Sequence, residues 1–224
     1  MFENLQVNEG SQYSYVRRRG RTTSAQAKAL EHDLVEYQID LESVSPSKGI
    51  EIGFGMGDAL LAWAQEQSDW DLLGIELYLP GVGSLVNKLT TRNVENVRIC
   101  VAPAQEVLQR LPDQSVEEIR ILFPDPWPKK RHAKRRLIQA EFVRDMARVL
   151  TPDGAIKIAT DWDPYAEWIR EVFANEPALQ NTHDEIRGST EQSPRENATK
   201  FEQRGQRLGH RIHDLTYVPL KRPA

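Results

Sequence analysis

Residues 50–57 read IEIGFGMG: a short apolar run with one acid in it, then three glycines at alternate positions, Gly53, Gly55 and Gly57. The run is that of a buried strand, and the glycines let backbone approach a ligand closely before the chain turns into a helix. Outward from this point the same alternation repeats. A helical stretch over 59–67 leads to LLGIE (72–76), a second strand, and a helix over about 80–89 leads to VRICV (97–101). A helix over 104–111 leads to EIRILF (118–123). Ile138, Phe142, Met146, Val149 and Leu150 then recur at helical spacing, and TPDG (151–154) reads as the turn that stops that helix. AIKIAT (155–160) is a fifth strand and 165–174 the next helix. Strands separated by helices of about 10 to 15 residues imply crossover units and a parallel sheet covered on both faces. The expected fold is α/β: a doubly wound, mostly parallel, Rossmann-like sheet whose ligands gather beyond the carboxyl ends of the strands. Residues 213–220 are expected as an antiparallel edge strand, 185–211 as loop, and 27–39 as a helix ahead of the sheet. Residues 1–25 read as a flexible basic arm, and 26–224 as a single domain.

Composition agrees with one globular domain. The 224 residues are 39% hydrophobic and 28% charged, which excludes collagen-like, coiled-coil and wholly disordered chains. Mean hydropathy is -0.58, and no apolar run approaches the roughly 20 residues that a membrane-spanning helix needs. The start, MFENLQVNEGSQ, lacks the pattern of a secretory signal, so a soluble cytoplasmic protein is expected. The single cysteine, Cys100, can form neither an internal disulfide nor a cysteine-based zinc site. Net charge is -4, yet cations concentrate in two windows without acids: Arg17, Arg18, Arg19 and Arg21, then Lys129, Lys130, Arg131, Lys134, Arg135 and Arg136. A basic patch on an acidic body steers a polyanion to one place.

The glycine loop carries two carboxylates. A dinucleotide site favours G-x-G-x-x-G, with a pyrophosphate on the helix N-terminus. Here the pattern is G-x-G-x-G, and Glu51 stands two residues before the first glycine, where it would repel a pyrophosphate but suit an ammonium group. Glu76 ends the second strand, a position from which a carboxylate accepts both hydroxyls of a ribose. An amino group plus a ribose, with no phosphate, describes S-adenosylmethionine.

A second constellation follows the fourth strand in FPDPWPKKRH (123–132). Three prolines stiffen the loop around Asp125 and Trp127. An acid beside a flat aromatic, with a basic run attached, suits a pocket for an extruded nucleobase. Asp161 follows the fifth strand, so Asp125 and Asp161 are expected to face the same crevice as the glycine loop. Guanine offers N1–H and N2–H₂ to such carboxylates. No metal is expected, because none of the five histidines stands at ligand spacing to these acids.

With these motifs in place, the chain resembles the bacterial tRNA (guanine-N7-)-methyltransferase family. The resemblance rests on EIGFGMG (51–57), GIE (74–76), PGVG (80–83), FPDPWPKKRHAKRR (123–136), ATDWDPYAEW (159–168) and TKFEQRGQRLGH (199–210). It implies methyl transfer from S-adenosylmethionine to guanine N7 in the variable loop of tRNA, usually at position 46. It also implies that Glu51, Glu76 and Asp125 contact the cofactor, with Asp125 the catalytic residue as well. Lys129, Asp161, Thr199, Lys200, Phe201 and Glu202 match substrate-contacting positions. One position departs from the family: Pro103 stands where an Asp usually accepts from the adenine amino group, leaving Gln105 or the Ala104 backbone N–H to compensate. One lost hydrogen bond is worth roughly 0.5–1.5 kcal/mol, about tenfold in affinity, so a weakened but working site is expected. No membrane partner is expected, and the chain is expected as monomer or homodimer. Two rivals stand beside this reading, a nucleotide-dependent oxidoreductase and a non-catalytic RNA-binding member of the same fold.

Overall fold

The computed structural model describes residues 20–195 and 199–220, so Arg17, Arg18 and Arg19 of the basic arm lie outside the described residues. The chain divides between Leu111 and Pro112 into two compact units.

The first unit begins with α1 (Ser24–Lys28), whose N-cap Thr23 and Gln26 form a reciprocal capping box. A wider helical turn over Ala29–Asp33 carries the chain into α2 (Leu34–Tyr37), and Leu30, Leu34 and Tyr37 are buried on one face. Next come β1 (Gly49–Ile52), α3 (Asp58–Glu66), β2 (Leu72–Ile75), α4 (Leu79–Arg92), β3 (Val97–Cys100) and α5 (Ala104–Arg110). The strands pair in parallel in the order β3-β2-β1. Every residue of β1 and β2 is buried, as strands covered on both faces require. Trp63, Leu60, Leu85, Leu89 and Ile99 anchor the core between sheet and helices.

The second unit holds β4 (Val116–Leu122), a tight helical turn over Lys130–Arg135, α6 (Ala140–Val149), β5 (Leu150–Thr160), α7 (Asp163–Ala174), β6 (Leu179–Arg187), α8 (Lys200–Arg207) and β7 (Ile212–Pro219). Its strands run β4-β5-β7-β6, the first pair parallel and the other two antiparallel. The α/β reading with an antiparallel margin therefore holds, with three corrections. Residues 151–154 are part of a strand rather than a turn after a helix: Val116 pairs with Leu150 and Glu118 with Ala155, so the segment swells out of β5 as a bulge. β7 is an inner strand, and the edge is β6. Residues 185–211 are not all loop, for they include the end of β6 and the whole of α8.

What fixes α8 is a closed ring of buried charge. Arg187 donates from Nε to Asp214 (2.7 Å) and from Nη2 to Glu202 (2.9 Å). Arg195 repeats the pattern, to Glu202 at 2.8 Å and to Asp214 at 2.6 Å. Burial acts to raise the Glu202 pKa, but the hydrogen bond and charge of Arg195, with the hydrogen bond from Arg187, outweigh it and hold the group below its ordinary value. Asp184 is also held low, by its hydrogen bonds from Arg170.

Removing one member of such a ring leaves a buried charge without its counter-ion. Arg187→Leu is expected to lower stability by about 3–5 kcal/mol in urea unfolding. Carboxylates with depressed pKa stabilise the fold above their unfolded values, about 4, and lose that contribution as pH falls. Wild-type stability should therefore fall on acidification below about pH 4, and a flat profile there would contradict the ring.

Candidate functional site

In the first unit the site grows from the tips of β1 and β2. Glu51 is buried near the end of β1. The chain then turns through Gly53, Gly55 and Gly57 at φ 73°, 55° and 78°, a region closed to most side chains. Each turn is tied down: Gly53 N–H donates to the Ile75 carbonyl (2.8 Å) and Gly57 N–H to that of Phe54 (2.8 Å). Glu76 at the tip of β2 accepts from Gly55 N–H (2.8 Å) through one oxygen, and from Leu77 and Tyr78 N–H (2.7 and 2.9 Å) through the other. The sequence assigned Glu76 to a ligand's hydroxyls; the structure adds the task of bracing the loop.

From the other side α4 holds the same loop. Ser84 and Lys88 donate to the Met56 carbonyl (3.1 and 2.7 Å), and Lys88 pairs with Asp58. Gly81 is needed for contact rather than conformation, since a Cβ there would lie 2.1 Å from the Gly55 carbonyl oxygen. A Cβ on Gly53 or Gly55, in contrast, would meet nothing within 4 Å. The loop is thus packed from behind and open in front, a cradle lined by backbone and held by the Glu76 carboxylate, with the buried Glu51 two residues before its first glycine. This donor set fits a cationic, hydroxyl-bearing ligand. Pro103 is the N-cap of α5 and offers no side-chain cap, while Ala104 is buried. Cys100 is buried in β3, where burial pushes its thiol up to about 12 and leaves it unreactive.

In the second unit the FPDPW loop starts and ends under backbone strain. Phe123 has φ 54° and Trp127 φ 44°, both unusual for residues other than glycine. Such outliers persist where surrounding contacts over-determine them, and they cluster at functional sites. Here Phe123 N–H is held by the Ala159 carbonyl (2.8 Å), and the Arg195 guanidinium lies 5.7 Å from the Phe123 ring centre. Trp127 carries Arg135 over its ring (5.2 Å) and meets His132 edge-on (5.6 Å). Arg136 donates to the Pro126 carbonyl (3.0 Å) and lies over Tyr165 and Trp168. The basic run is therefore folded against the loop, with Lys129, Lys130 and Arg131 exposed. Partial desolvation and the charges of Arg135, Arg131 and Lys129 hold the His132 pKa below its ordinary value. Asp125 is exposed on this loop, and its charge, after burial, helps to raise the Tyr165 hydroxyl.

Asp161 lies one residue past β5, half-buried, against Gly205 of α8 and the ring of His210. Thr199 caps α8, its hydroxyl accepting from Glu202 N–H (3.1 Å), and Lys200 and Phe201 are exposed. Glu202 is fully buried, and both its oxygens face arginines. Its carboxylate thus anchors the segment from within, while its exposed neighbours face outward. Sequence reasoning missed Arg187, Arg195, Asp214 and His210; the glycine spacing in QRGQRLGH was the one signal available. Among the described residues no helix is long and apolar enough to cross a membrane, and no group of three or more His, Cys, Asp or Glu could hold a metal ion.

A family model described as "Putative methyltransferase" matches residues 46–215. The tRNA (guanine-N(7)-)-methyltransferase of Nitrosococcus oceani is 45% identical over 215 residues, covering 91% of this chain and 89% of that protein. The protein of the same name from Legionella pneumophila (strain Paris) is 43% identical over 221 residues, 93% of each. That of Acidithiobacillus ferrooxidans is 42% identical over 224 residues, 97% of this chain and 98% of its own. Among solved structures, an antibiotic-related methyltransferase gives a TM-score of 0.57 at 12% identity, over 90% of this chain and 98% of the other. A precorrin-6y C5,15-methyltransferase from Geobacter metallireducens gives 0.53 at 12% identity, over 96% of each. At such identities the structural likeness speaks to the fold alone, which is that of Rossmann-like methyltransferases.

The close approach of α4 to the glycine loop has a measurable consequence. Gly81→Ala must displace the Gly55 carbonyl, and overpacking of this kind costs about 1–3 kcal/mol. The midpoint of denaturant unfolding should drop accordingly; an unshifted midpoint would mean that the two segments are not in contact.

Proposed function

The chain belongs to the tRNA (guanine-N(7)-)-methyltransferase family, and from that premise we propose a division of labour among its residues. The reaction is transfer of a methyl group from S-adenosylmethionine to N7 of a guanine in tRNA. The non-catalytic RNA-binding alternative is not favoured, because the relatives that match nearly the whole chain carry the enzyme's name. The finer assignments are ours: the variable-loop guanine as target, the cytoplasm as location, and the roles that follow.

The cradle of Gly53, Gly55 and Gly57, with Glu51 and Glu76, holds the cofactor, and Pro103 and Ala104 flank its adenine. The observation that carries this is the Glu76 carboxylate gripping Gly55 N–H at 2.8 Å while the front of Gly53 and Gly55 stays clear. When bound, S-adenosylmethionine supplies an electrophilic methyl on a sulfonium. Glu51 favours that cationic ligand by charge. Guanine N7 carries a lone pair and no proton, so no side chain has to remove one. Catalysis is then chiefly alignment, with reacting atoms about 3–3.5 Å apart. Positive charge develops on the base, and Asp125 stabilises it as a fixed carboxylate rather than as a proton acceptor. Strain at Phe123 and Trp127, with Pro124 and Pro126 between them, keeps Asp125 from relaxing away.

Lys129, Asp161, Thr199, Lys200 and Phe201 are assigned to the tRNA, with Glu202 supporting them from the charge ring. Lys129 and Lys200 offer exposed charge to phosphates, and Phe201, 49% exposed, offers a face for stacking. Arg17, Arg18, Arg19 and Arg21 extend the phosphate contacts.

Methyl transfer from labelled cofactor to an unmodified tRNA transcript tests the central assignment. Asp125→Ala should lower the single-turnover rate on the order of 10²-fold at saturating substrate, the scale for removing one group that stabilises developing charge. An unchanged rate would remove Asp125 from the mechanism.

A further inference from the structure

The segment that follows Thr199 and Glu202 carries a pattern that the roles above leave unused: Gly205, Gly209 and His210. Gly209 takes φ 77° and ends α8. Its N–H donates to the Gln206 carbonyl (3.0 Å), and the His210 N–H reaches back to the Gly205 carbonyl (2.9 Å). A left-handed residue just past a helix permits this double closure. The closure delivers the His210 ring to Asp161, with Nδ1 3.0 Å from Oδ2. Gly205 makes room for it, because a Cβ there would lie 2.8 Å from Oδ2 and 3.0 Å from the Asp161 Cβ. A helix end, a missing side chain and an imidazole thus converge on one carboxylate. An ionised carboxylate only accepts, so Nδ1 carries the hydrogen and donates it.

We infer that His210 is a positioning residue that holds Asp161 through Oδ2, so that Oδ1 accepts from the N2 amino group of the target guanine and helps to select guanine over a purine without that group. The inference rests on the assignment of Asp161 to the tRNA base and deepens it. A carboxylate with one oxygen already engaged cannot swing to follow a different edge. A side chain fixed in this way discriminates more sharply than a mobile one, because the mismatched ligand leaves it unpaired. The exposure of the pair, 37% for His210 and 30% for Asp161, leaves the carboxylate within reach of an incoming base.

Discrimination is the readout that a merely structural histidine would not move. Full-length tRNA carrying guanosine or inosine at the target position is used as substrate; inosine keeps N7 and N1–H but lacks the amino group. The wild type should favour guanosine by about tenfold or more in kcat/KM, and Asp161→Ala should abolish most of that preference. His210→Ala should reduce it by about threefold with cofactor affinity unchanged, and His210→Asn, which places an amide donor near Nδ1, should restore much of it. Gly205→Ala, which crowds Asp161 from the other side, should reduce it as well, and it decides the matter if His210→Ala does not fold. Loss of preference in Asp161→Ala but not in His210→Ala or Gly205→Ala would overturn the role of His210 alone. Full preference in Asp161→Ala, or none in the wild type, would instead overturn the assignment of Asp161 beneath it.

Discussion

A single carboxylate, that of Glu76, holds the tip of β2 to the loop that leaves β1. Three backbone N–H groups end on it, those of Gly55, Leu77 and Tyr78. The constraint is severe because the loop is built from the residue that loses most conformational freedom on folding, used three times in five positions. Left to itself such a segment would sample many shapes. With Glu76 gripping it at Gly55 N–H and the Ser84 and Lys88 donors behind, it has one, and Gly81 lets α4 press directly on its carbonyl. Pre-organisation of this kind lets exposed backbone bind a ligand without a further ordering penalty.

The second unit reaches a similar end with charge instead of glycine. Arg187 and Arg195 alternate with Glu202 and Asp214, so that a strand, an edge strand and α8 share one buried polar network. Every carboxylate oxygen in it has an arginine, which makes the burial of four charges tolerable. The outward face of the same helix is free to carry Lys200 and Phe201. Arg195 also stacks over Phe123, linking this network to the strained loop of Asp125.

Much of this was legible in the sequence. The five parallel-type strands announced themselves as apolar runs between helical periods, and the glycines and acids of 51–76 predicted a cradle for a cationic, ribose-bearing ligand. Other parts were hidden for physical reasons. β6 exposes every side chain but Leu179 and Arg187, so its ladder with β7 leaves no alternation to read. The TPDG bulge uses the residues of a turn and differs from one only in register. The charge ring joins residues 187, 195, 202 and 214, whose pairing depends on how β6, β7 and α8 come together. Glu202 was expected among the substrate-contacting positions of a polar loop, and only burial reveals that its carboxylate points inward to two arginines. His210 is a further case, since nothing local to GH signals a contact with an acid 49 positions away.

The account stands or falls on whether the braced loop is the seat of the methyl donor. Calorimetric titration of S-adenosylmethionine into the wild type and into Glu76→Gln tests this without any contribution from tRNA. One-to-one binding by the wild type is predicted, with the nearly isosteric variant weaker by about tenfold or more, as the loss of charged hydrogen bonds to the loop requires. Equal affinity in the two proteins, or no binding by the wild type, would contradict it.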